Sequence, residues 1–415
     1  MTIYLSTLQR RTISIHKTEL MKPLHFYLLG AGSWFLAYGI QVVTFAWIVT
    51  IVLHESAKMV GFAQMAFMIP ATLFMLPCGS LADQIGGRRI AIAGHILAST
   101  APLFLIVVTL NDHLNYTMVL LFAMIMGTAQ AFITPSRDGL LALVAEGEIQ
   151  KKVVIVSVVQ FGIQLLGFVI ASFADQLGVV FILSTQFAAL SLGAYSYYKL
   201  EVNFEPPTRL ANNIIHQVIQ SVHEGYQTVK SSSAMSAVVA QNIAVGIFFM
   251  GAYTVTIPLL IREVYEGSAA EISWINAGNS LGLVTSVIFL MRFGNIARKG
   301  RALLLAQFLG CFALAGGALG FGIISLIMFT YFWGMCGGIS MTMSRVIMQE
   351  MSPPLQRGRM MAFYSFSFMG SGPFGALFSG YLCEWLDPKQ ALLISTTLMA
   401  LVIITIHSRS TLWKI

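Results

Sequence analysis

Long apolar runs separated by short polar segments are the dominant pattern of this chain. A helix needs roughly 20 apolar residues to cross a bilayer core about 30 Å thick. Twelve such runs lie near residues 25–53, 58–82, 90–110, 115–135, 153–174, 178–198, 236–260, 270–291, 302–320, 323–345, 360–383 and 390–407. The first run has no cleavage site of small residues behind a short apolar core, so it predicts a spanning helix and not a signal peptide. The pattern predicts an all-α integral membrane protein with twelve transmembrane helices.

Basic residues fall on alternate loops, and this predicts the orientation in the membrane. Short cytoplasmic loops carry an excess of Lys and Arg. With the N-terminus inside, 21 of the 24 basic residues lie in predicted cytoplasmic segments, and only Lys58, Arg262 and Lys389 lie outside. A missed or spurious helix would exchange the sides of all later loops. We therefore expect twelve spans, with both termini cytoplasmic.

The composition agrees with a chain that is mostly out of contact with water. Of the residues, 57% are hydrophobic and 10% are charged, against roughly 25% charged residues in globular domains. Soluble, disordered, collagenous and disulfide-rich classes are therefore excluded. The net charge of +7 is scattered between apolar runs, so it does not predict a nucleic-acid surface. The four cysteines stand apart without a CxxC spacing or a histidine cluster, so we expect no metal site.

A polar stretch at residues 199–235 divides the predicted spans into six and six. The predicted organisation is a cytoplasmic tail (1–24), an N-terminal bundle (25–198), a cytoplasmic linker (199–235), a C-terminal bundle (236–407) and a tail (408–415). An offset of 208 residues superposes Ser136–Arg137 on Ser344–Arg345, Gly86 on Gly294, Gly162 on Gly370 and Gly167 on Gly375. Two duplicated six-helix bundles that flank a central site are suited to alternating access.

The loop between the second and third spans carries the most specific motif. It runs from Gly79 through Asp83 and Gly86 to Arg88 and Arg89, with the sequence GSLADQIGGRR. This loop resembles the signature of the major facilitator superfamily. A glycine at position 79 would let two helices approach closely, and Gly86 would permit a tight turn. The resemblance implies that Asp83 is a conformational switch and not a substrate ligand.

Further segments resemble the subfamily of the enterobactin exporter and related secretion permeases. They are HESAKMVG at residues 54–61, Ile69-Pro70, LPCG at residues 76–79, QEMSP at residues 349–353, and GPFGA at residues 372–376. The resemblance covers about residues 25–385. It implies a monomeric inner-membrane permease that moves a small molecule and is driven by a proton gradient, with no bound cofactor.

The chain departs from the family pattern in ways that bear on coupling. The loop from Arg292 to Arg301 has no acidic residue, so the second copy of the switch is degraded. The fourth span has Ala123 near the place of an intramembrane Arg that marks many proton-coupled drug antiporters. There is no G-x-x-x-x-G-K-[ST] phosphate loop, so ATP is not the direct driver.

Titratable groups lie away from the predicted span centres. The carboxylates nearest to the membrane are Asp83, Asp138, Asp175, Glu55 and Glu384. Asp138, which follows Arg137, is expected either to pair with Arg88 or Arg89 when the halves close or to be solvated. His95, a few residues into the third span, is either a proton switch or a ring hydrogen-bonded to a neighbouring helix; we favour the second interpretation.

The resemblance also implies that the first, fourth, seventh and tenth helices line a central cavity. The candidate cavity residues on these helices and their neighbours are Trp34, Tyr38, Gln41, Gln130, Gln160, Gln164, Gln241, Asn242, Tyr253, Asn276, Tyr331 and Trp333. Aromatic rings and amides suit a bulky, amphipathic and roughly neutral solute. For each aromatic ring the alternative is a lipid-facing or packing role.

Together these observations favour a secondary-active exporter of an amphipathic small molecule, first of all a siderophore. A multidrug efflux pump, an importer or uniporter, and a lysophospholipid flippase of the same fold remain alternatives. A non-transporting membrane sensor is a further alternative from another class. An enzyme is not expected, because no nucleophile, base and orienting group stand in a catalytic pattern.

Overall fold

Two sets of helices follow one another along the chain. The computed structural model of the protein describes residues 2–145, 149–202, 225–293, 296–353 and 357–415. The first set is α1 (Thr2–Trp47), α2 (Ala57–Ile85), α3 (Gly87–Leu110), α4 (Tyr116–Ala145), α5 (Ile149–Ala171) and α6 (Ala174–Lys199). The second set is α7 (Ser233–Val264), α8 (Ala269–Phe293), α9 (Lys299–Gly317), α10 (Ile323–Met351), α11 (Arg357–Met369), α12 (Gly372–Trp385) and α13 (Pro388–Arg409). The described residues contain no strand, and the predicted all-α class is confirmed.

Eleven helices in the described part of the chain are long and apolar enough to cross a bilayer. They correspond to eleven of the twelve predicted spans. The remaining run, near residues 360–383, is divided into α11 and α12 at Gly370 and Ser371. Pro373 lies in the first turn of α12. Because proline has no N–H, it cannot donate the hydrogen bond that would continue α11 through this point.

Several helix ends differ from the predicted boundaries. Helix α1 begins at Thr2, so residues 2–24, predicted as a tail, continue the first span as helix. Beyond Trp47 the same helix continues as a π-helical turn, Ile48–Val52. In α7 the segments Val245–Met250 and Ala252–Thr256 are also π-helical. Within the predicted linker, residues 203–224 lie outside the described residues.

Helix packing repeats between the two sets. Helix α1 packs against α5 and α6, α2 against α4, and α3 against α4 and α6. In the second set α7 packs against α12 and α13, α8 against α10, and α9 against α10 and α13. When α11 and α12 count as one span, each of these contacts recurs six spans later. We call the two sets the N-bundle (α1–α6) and the C-bundle (α7–α13).

Gly167 and Gly375, which the offset of 208 residues superposes, occupy equivalent places. A Cβ atom added to Gly167 would lie 2.6 Å from the carbonyl oxygen of Leu36 on α1. Gly375 of α12 lies equally tightly against the carbonyl of Gly246 on α7. Both glycines allow two backbones to touch where a larger residue would separate the helices, so they support the predicted duplication.

The bundles meet where α2 packs on α12 and where α5 packs on α8. We name the two faces of the molecule by the predicted topology. The inner face carries the α2–α3 turn at Gly86 and the C-terminal segment, in which the Trp413 carbonyl accepts a hydrogen bond from Arg301 Nε at 3.3 Å. The outer face carries the α1–α2 and α7–α8 connections. Among side chains whose burial is described, no Asp, Glu, Lys or Arg is buried.

Candidate functional site

A cavity of about 400 Å³ lies between the two bundles on the inner side of the molecule. Its lining comes from α2, α4, α10 and α11: Thr72, Met75, Leu76, Gly79, Ser80, Pro135, Arg345, Met361, Ser365, Phe366 and Met369. The wall is thus mostly thioether, aliphatic and aromatic, with three hydroxyls and one cation. Volumes of roughly 300–1,000 Å³ with apolar walls and few polar groups are typical of small-molecule sites.

Helices α2, α11 and α12 close the cavity towards the outer face. Thr72 Oγ1 donates a hydrogen bond across the bundles to the Met369 carbonyl at 3.1 Å. Further outward, a Cβ atom on Gly61 would lie 2.6 Å from the Ala376 carbonyl oxygen and 3.0 Å from Gly380 Cα. The two backbones are therefore in direct contact above the cavity.

Arg262, at the end of α7, ties the C-bundle to the N-bundle on the outer face. Its Nη1 donates to the carbonyl oxygens of Thr50 at 3.1 Å and of Glu55 at 2.7 Å. Both acceptors belong to the connection between α1 and α2, where a carbonyl at the end of a helix lacks an intrahelical partner. One guanidinium thus joins the two bundles by donating to two carbonyl oxygens that accept no hydrogen bond within a helix.

Asp175, in the first turn of α6, forms a second link on the outer face. Its Oδ2 accepts a hydrogen bond from the backbone N–H of Ala269 at 3.1 Å, and its Oδ1 accepts from Trp47 Nε1 at 2.8 Å. Ala269 is the first residue of α8, so a carboxylate of the N-bundle caps a helix of the C-bundle. A negative charge is favourable at this position because the N-terminus of a helix carries a partial positive charge.

Lys58 and Glu384 form a third link between α2 and α12. Glu384 accepts from the Lys58 backbone N–H at 3.2 Å, and its other oxygen lies 3.7 Å from Lys58 Nζ. Both side chains are partly exposed, so the ion pair itself contributes little. In this structure the outer face is closed and the inner face holds the cavity.

The switch loop predicted from Gly79 to Arg89 begins at the rim of the cavity. Gly86 has φ of +99° between α2 and α3, as the predicted tight turn requires. The close approach expected at Gly79 is not observed, because an added Cβ atom would meet only Pro135 Cβ at an ordinary 3.6 Å. It occurs instead at Gly87, where the Ser136 carbonyl oxygen lies 3.1 Å from the position of a Cβ atom.

Charged residues of this loop have contrasting environments. Asp83 is exposed and makes no hydrogen bond or ion pair with any described residue. Arg88 donates to the carbonyl oxygens of Tyr197 at 3.1 Å and Tyr198 at 2.5 Å, at the end of α6. Arg88 therefore anchors the loop to its own bundle, while Asp83 stays unengaged. Arg89 is exposed.

Arg137 and Asp138 pair with each other. Asp138 Oδ1 lies 2.9 Å from Arg137 Nη2 and accepts from Nε at 3.1 Å. The guanidinium carbon of Arg137 also stands 4.7 Å from the centre of the Phe35 ring. In this state Asp138 is bound to its neighbour and not to Arg88 or Arg89.

His95 is fully buried inside the N-bundle and does not line the cavity. Its Nδ1 lies 2.8 Å from the Ala91 carbonyl on the same helix, whereas a bond to a neighbouring helix was expected. The ring packs between Trp34 of α1 and Tyr197 of α6, with centroid distances of 5.9 and 5.1 Å. The His95 Nε2 atom has no partner. The packing agrees with a histidine that joins three helices.

The candidate cavity residues of the N-bundle are placed mainly within that bundle. Trp34 is buried and stacks on Tyr38 with 6.5 Å between ring centroids. Gln41 accepts a hydrogen bond from Gln186 at 2.7 Å, in the contact between α1 and α6. Gln130, Gln160 and Gln164 are partly buried, and the Oε1 atom of Gln130 has no partner.

In the C-bundle the candidates form two polar clusters. Tyr253 donates to Asn276 Oδ1 at 2.6 Å and packs on Trp333 with 5.1 Å between ring centroids.

The second cluster follows the inner side of α7. Gln241 bonds to Gln307, whose Nε2 donates to Ser340 at 2.8 Å. The neighbouring Asn242 donates to Ser367 at 3.4 Å. Tyr331 lies apart from this cluster and bonds to Thr285 at 3.1 Å.

None of these twelve candidates is among the residues that line the inner cavity. Of the four helices expected to line it, α4 and α10 do so, whereas α2 and α11 take the places expected for α1 and α7. A substrate role for the twelve remains a prediction. The sequence reasoning also missed the outer-face links. The available signal was the small number of basic residues in the predicted outer loops, among them Lys58 and Arg262.

Comparison with known families assigns the chain to a protein family. The family model described as transmembrane secretion effector, a branch of the major facilitator superfamily, matches residues 28–414. The chain belongs to this family. The predicted resemblance to secretion permeases is therefore confirmed. No curated protein matches the chain in a sequence search.

Solved structures of other transporters share the fold of this secretion-effector family member. The nucleoside transporter NupG is 14% identical, with a TM-score of 0.71, and the match covers 94% of this chain and 98% of NupG. An auto-inhibited POT family peptide transporter is 12% identical, with a TM-score of 0.73 and coverage of 94% and 96%. A POT family transporter in complex with 5-aminolevulinic acid is 13% identical, with a TM-score of 0.73 and coverage of 95% and 96%. At such identities the likeness concerns the fold alone.

The family and the neighbours make this chain a multi-pass membrane transporter and not an enzyme. For such a transporter, a cavity on one side and a closed contact on the other define one of two access states. The links at Arg262, Asp175 and Lys58 join the bundles on the closed side. Moving the cavity to the other face requires these links to break.

Proposed function

We propose that this secretion-effector transporter exports an amphipathic small molecule by alternating access, with a siderophore as the first candidate cargo. The observation that carries the proposal is the inner cavity between the bundles, which has apolar walls and a closed outer contact. With the inner face cytoplasmic, a cargo made in the cell enters this state directly. Breaking the outer links then gives it an exit.

The driving force belongs to the same proposal. No phosphate-binding loop is present in the sequence, and the family resemblance favours a proton gradient. The candidates for coupling are the unengaged Asp83, which follows the cavity-lining residues Gly79 and Ser80 on α2, and the carboxylates of the outer links. We place the transporter in a bacterial inner membrane as a monomer, with both termini in the cytoplasm.

A deletion assay tests the cargo. Iron-chelating activity outside the cells is measured with and without the gene, beside retention of a fluorescent amphipathic dye. Loss of secreted chelator with unchanged dye efflux supports a dedicated siderophore exporter. Dye retention with normal chelator secretion indicates a multidrug pump, and a change in neither contradicts export of both kinds of cargo.

Asp83→Asn is expected to reduce that export at least about fivefold, because the loss of one charged interaction in a conformational latch is worth about 1–2 kcal/mol. Asp112→Asn is the matched control, since Asp112 lies in the outer α3–α4 connection with φ of +57°, which asparagine tolerates. Export is measured at equal amounts of protein in the membrane. Equal export by both variants would contradict a switching role for Asp83, and a non-transporting sensor predicts no export by any of them.

A further inference from the structure

Arg345 is the single charged side chain among the residues that line the inner cavity. It lies on α10, and the apolar wall opposite it comes from Met75 and Leu76 of α2 and from Phe366 of α11. Among the described residues, Arg345 has neither a hydrogen bond nor an ion pair, and its side chain is exposed. The cavity therefore has a cationic end at the Arg345 guanidinium and an apolar end at the opposite wall.

The equivalent residue of the N-bundle, Arg137, has a different environment. The offset of 208 residues superposes Arg137 on Arg345 and Asp138 on Val346. Asp138 neutralises Arg137, and the Phe35 ring covers it. The replacement of that carboxylate by Val346 leaves Arg345 with no acidic neighbour in sequence. The two halves have diverged at the position that faces the cavity.

Two other basic residues of the inner face are engaged by the protein itself. Lys299 pairs with Glu350 at 2.9 Å, and Arg88 binds two backbone carbonyls at the end of α6. An unengaged guanidinium presents several N–H donors in a planar fork that matches a carboxylate or a phosphate. Such charge-assisted hydrogen bonds are stronger than neutral ones.

We propose that the inner cavity binds an amphiphile through an anionic head group, with its carboxylate or phosphate on Arg345 and its apolar part against Met75, Leu76 and Phe366. This inference rests on the proposed transport function and names its substrate class. It revises the expectation of a roughly neutral solute, which was based on aromatic and amide residues that do not line the cavity.

Binding to the purified full-length protein in nanodiscs of zwitterionic lipid tests the proposal. The probes are dodecyl phosphate, dodecyl glycerol ether and dodecyltrimethylammonium, which share a twelve-carbon tail and differ in charge. We expect the wild type to bind dodecyl phosphate about tenfold more tightly than the neutral ether. Arg345→Gln should abolish this preference, and Arg345→Glu should transfer it to the trimethylammonium probe.

Arg409→Gln is the control, because Arg409 is an exposed cation at the inner end of α13 and does not line the cavity. It should keep the wild-type preference. Equal binding of charged and neutral probes by the wild type would overturn the proposal. So would an unchanged preference in Arg345→Gln, because the anion would then bind elsewhere.

A second pair of probes identifies the source of the anion. Naphthoate is added from water, and lysophosphatidic acid is incorporated in the nanodisc bilayer. Binding of naphthoate that depends on Arg345 assigns the site to a water-soluble cargo, whereas Arg345-dependent binding of lysophosphatidic acid alone assigns it to a lipid. Both outcomes support the anionic subsite.

Failure of this inference is separable from failure of the proposed function. Intact export in cells together with no charge preference in nanodiscs contradicts the anionic subsite but supports the proposed transport function. A charge preference that depends on Arg345, together with no export of chelator or dye, supports the subsite and contradicts export of those two cargos.

Discussion

Gly61→Leu is expected to open the outer face and to reduce transport at least about tenfold, because overpacking a tight contact costs about 1–3 kcal/mol. The added side chain would begin 2.6 Å from the Ala376 carbonyl oxygen and 3.0 Å from Gly380 Cα. Both neighbours are backbone atoms, which cannot turn away as a flexible side chain can. The helices α2 and α12 must separate, and this contact holds the outer face closed.

Two cysteine reporters measure that change in a background without the four native cysteines. Ala57→Cys places a thiol at the buried start of α2 on the outer face, and Ser365→Cys places one in the inner cavity. In Gly61→Leu, labelling by a membrane-impermeant maleimide should rise at position 57 in intact cells. It should fall at position 365 in inside-out vesicles, because alternating access couples the two faces.

Gly162→Leu is the matched control for this experiment. Gly162 lies on α5, and a Cβ atom there would have no neighbour within 4 Å, so the same chemical change should leave both labelling rates unaltered. Size-exclusion chromatography of each purified variant tests whether it folds. A folded Gly61→Leu protein with wild-type labelling at both positions would refute the role of this contact.

Arg262→Ala is expected to shift the equilibrium towards the outward-open state by at least about tenfold, since even one hydrogen bond from a charged group contributes about 1.5–3 kcal/mol. The variant removes both bonds from Nη1 to the carbonyl oxygens of Thr50 and Glu55. These bonds exist only while the outer face is closed, so their loss destabilises one state of the cycle and not the other. Such a differential effect is what changes a population.

The same reporters at Ala57 and Ser365 measure the shift caused by Arg262→Ala. Lys389→Ala is the control, because it also removes a cation from the outer face, and within the described part of the chain no hydrogen bond or ion pair joins Lys389 to the other bundle. Arg262→Lys keeps the charge but lacks the fork of donors, so it should lie between the wild type and Arg262→Ala. If Lys389→Ala raised labelling at position 57 as strongly as Arg262→Ala, the effect would be one of surface charge.

The contacts of Arg262 and Asp175 also explain why the closure of the outer face can be both stable and reversible. Arg262 uses backbone carbonyls of the α1–α2 connection, and Asp175 uses the backbone N–H at the start of α8. On opening, these groups lie at a membrane surface where water can replace the protein partner, so neither is left unsatisfied. A link made of groups that water can replace on opening therefore costs less to break than a buried ion pair.

Much of the architecture was accessible from the sequence because a bilayer restricts the chain to a few solutions. Backbone polar groups inside lipid must be satisfied within the element, so an apolar run of 20 residues is a helix. The spacing of these runs predicted eleven long helices of the described chain and the place of the twelfth span. The motif at Gly79–Arg89 and the segments around Pro70 and Pro373 predicted the family, which the family model confirms.

The broken span at Gly370 and Ser371 marks the limit of that reasoning. Hydropathy reports how apolar a segment is, but it does not report where its backbone hydrogen bonds stop. The GPFGA segment was used for its resemblance, although its proline also ends the continuity of α11 and α12. The GPFGA segment therefore indicated both the family and the break between α11 and α12, but only the first was inferred from it.

The cavity shows most clearly what the sequence left open. Gln41, Trp34 and Gln241 are polar or aromatic residues in spans, and their sequence environment is the same whether they face a substrate path or another helix. In the structure Gln41 meets Gln186, Trp34 meets His95, and Gln241 meets Gln307. The rotation of each helix about its axis decides between these roles, and it is set by packing against helices that are distant in sequence.

The sequence by itself determined the class and the family, and it predicted the spans, the duplication and the orientation, because each depends on the identity and spacing of residues along one line. Only the tertiary structure decided which face is closed, that Arg262 and Asp175 bridge the bundles, and that Arg345 stands unpaired at the cavity. These features depend on distances between helices that lie far apart in the chain. Such distances result from the packing of all helices together, and no single segment encodes them.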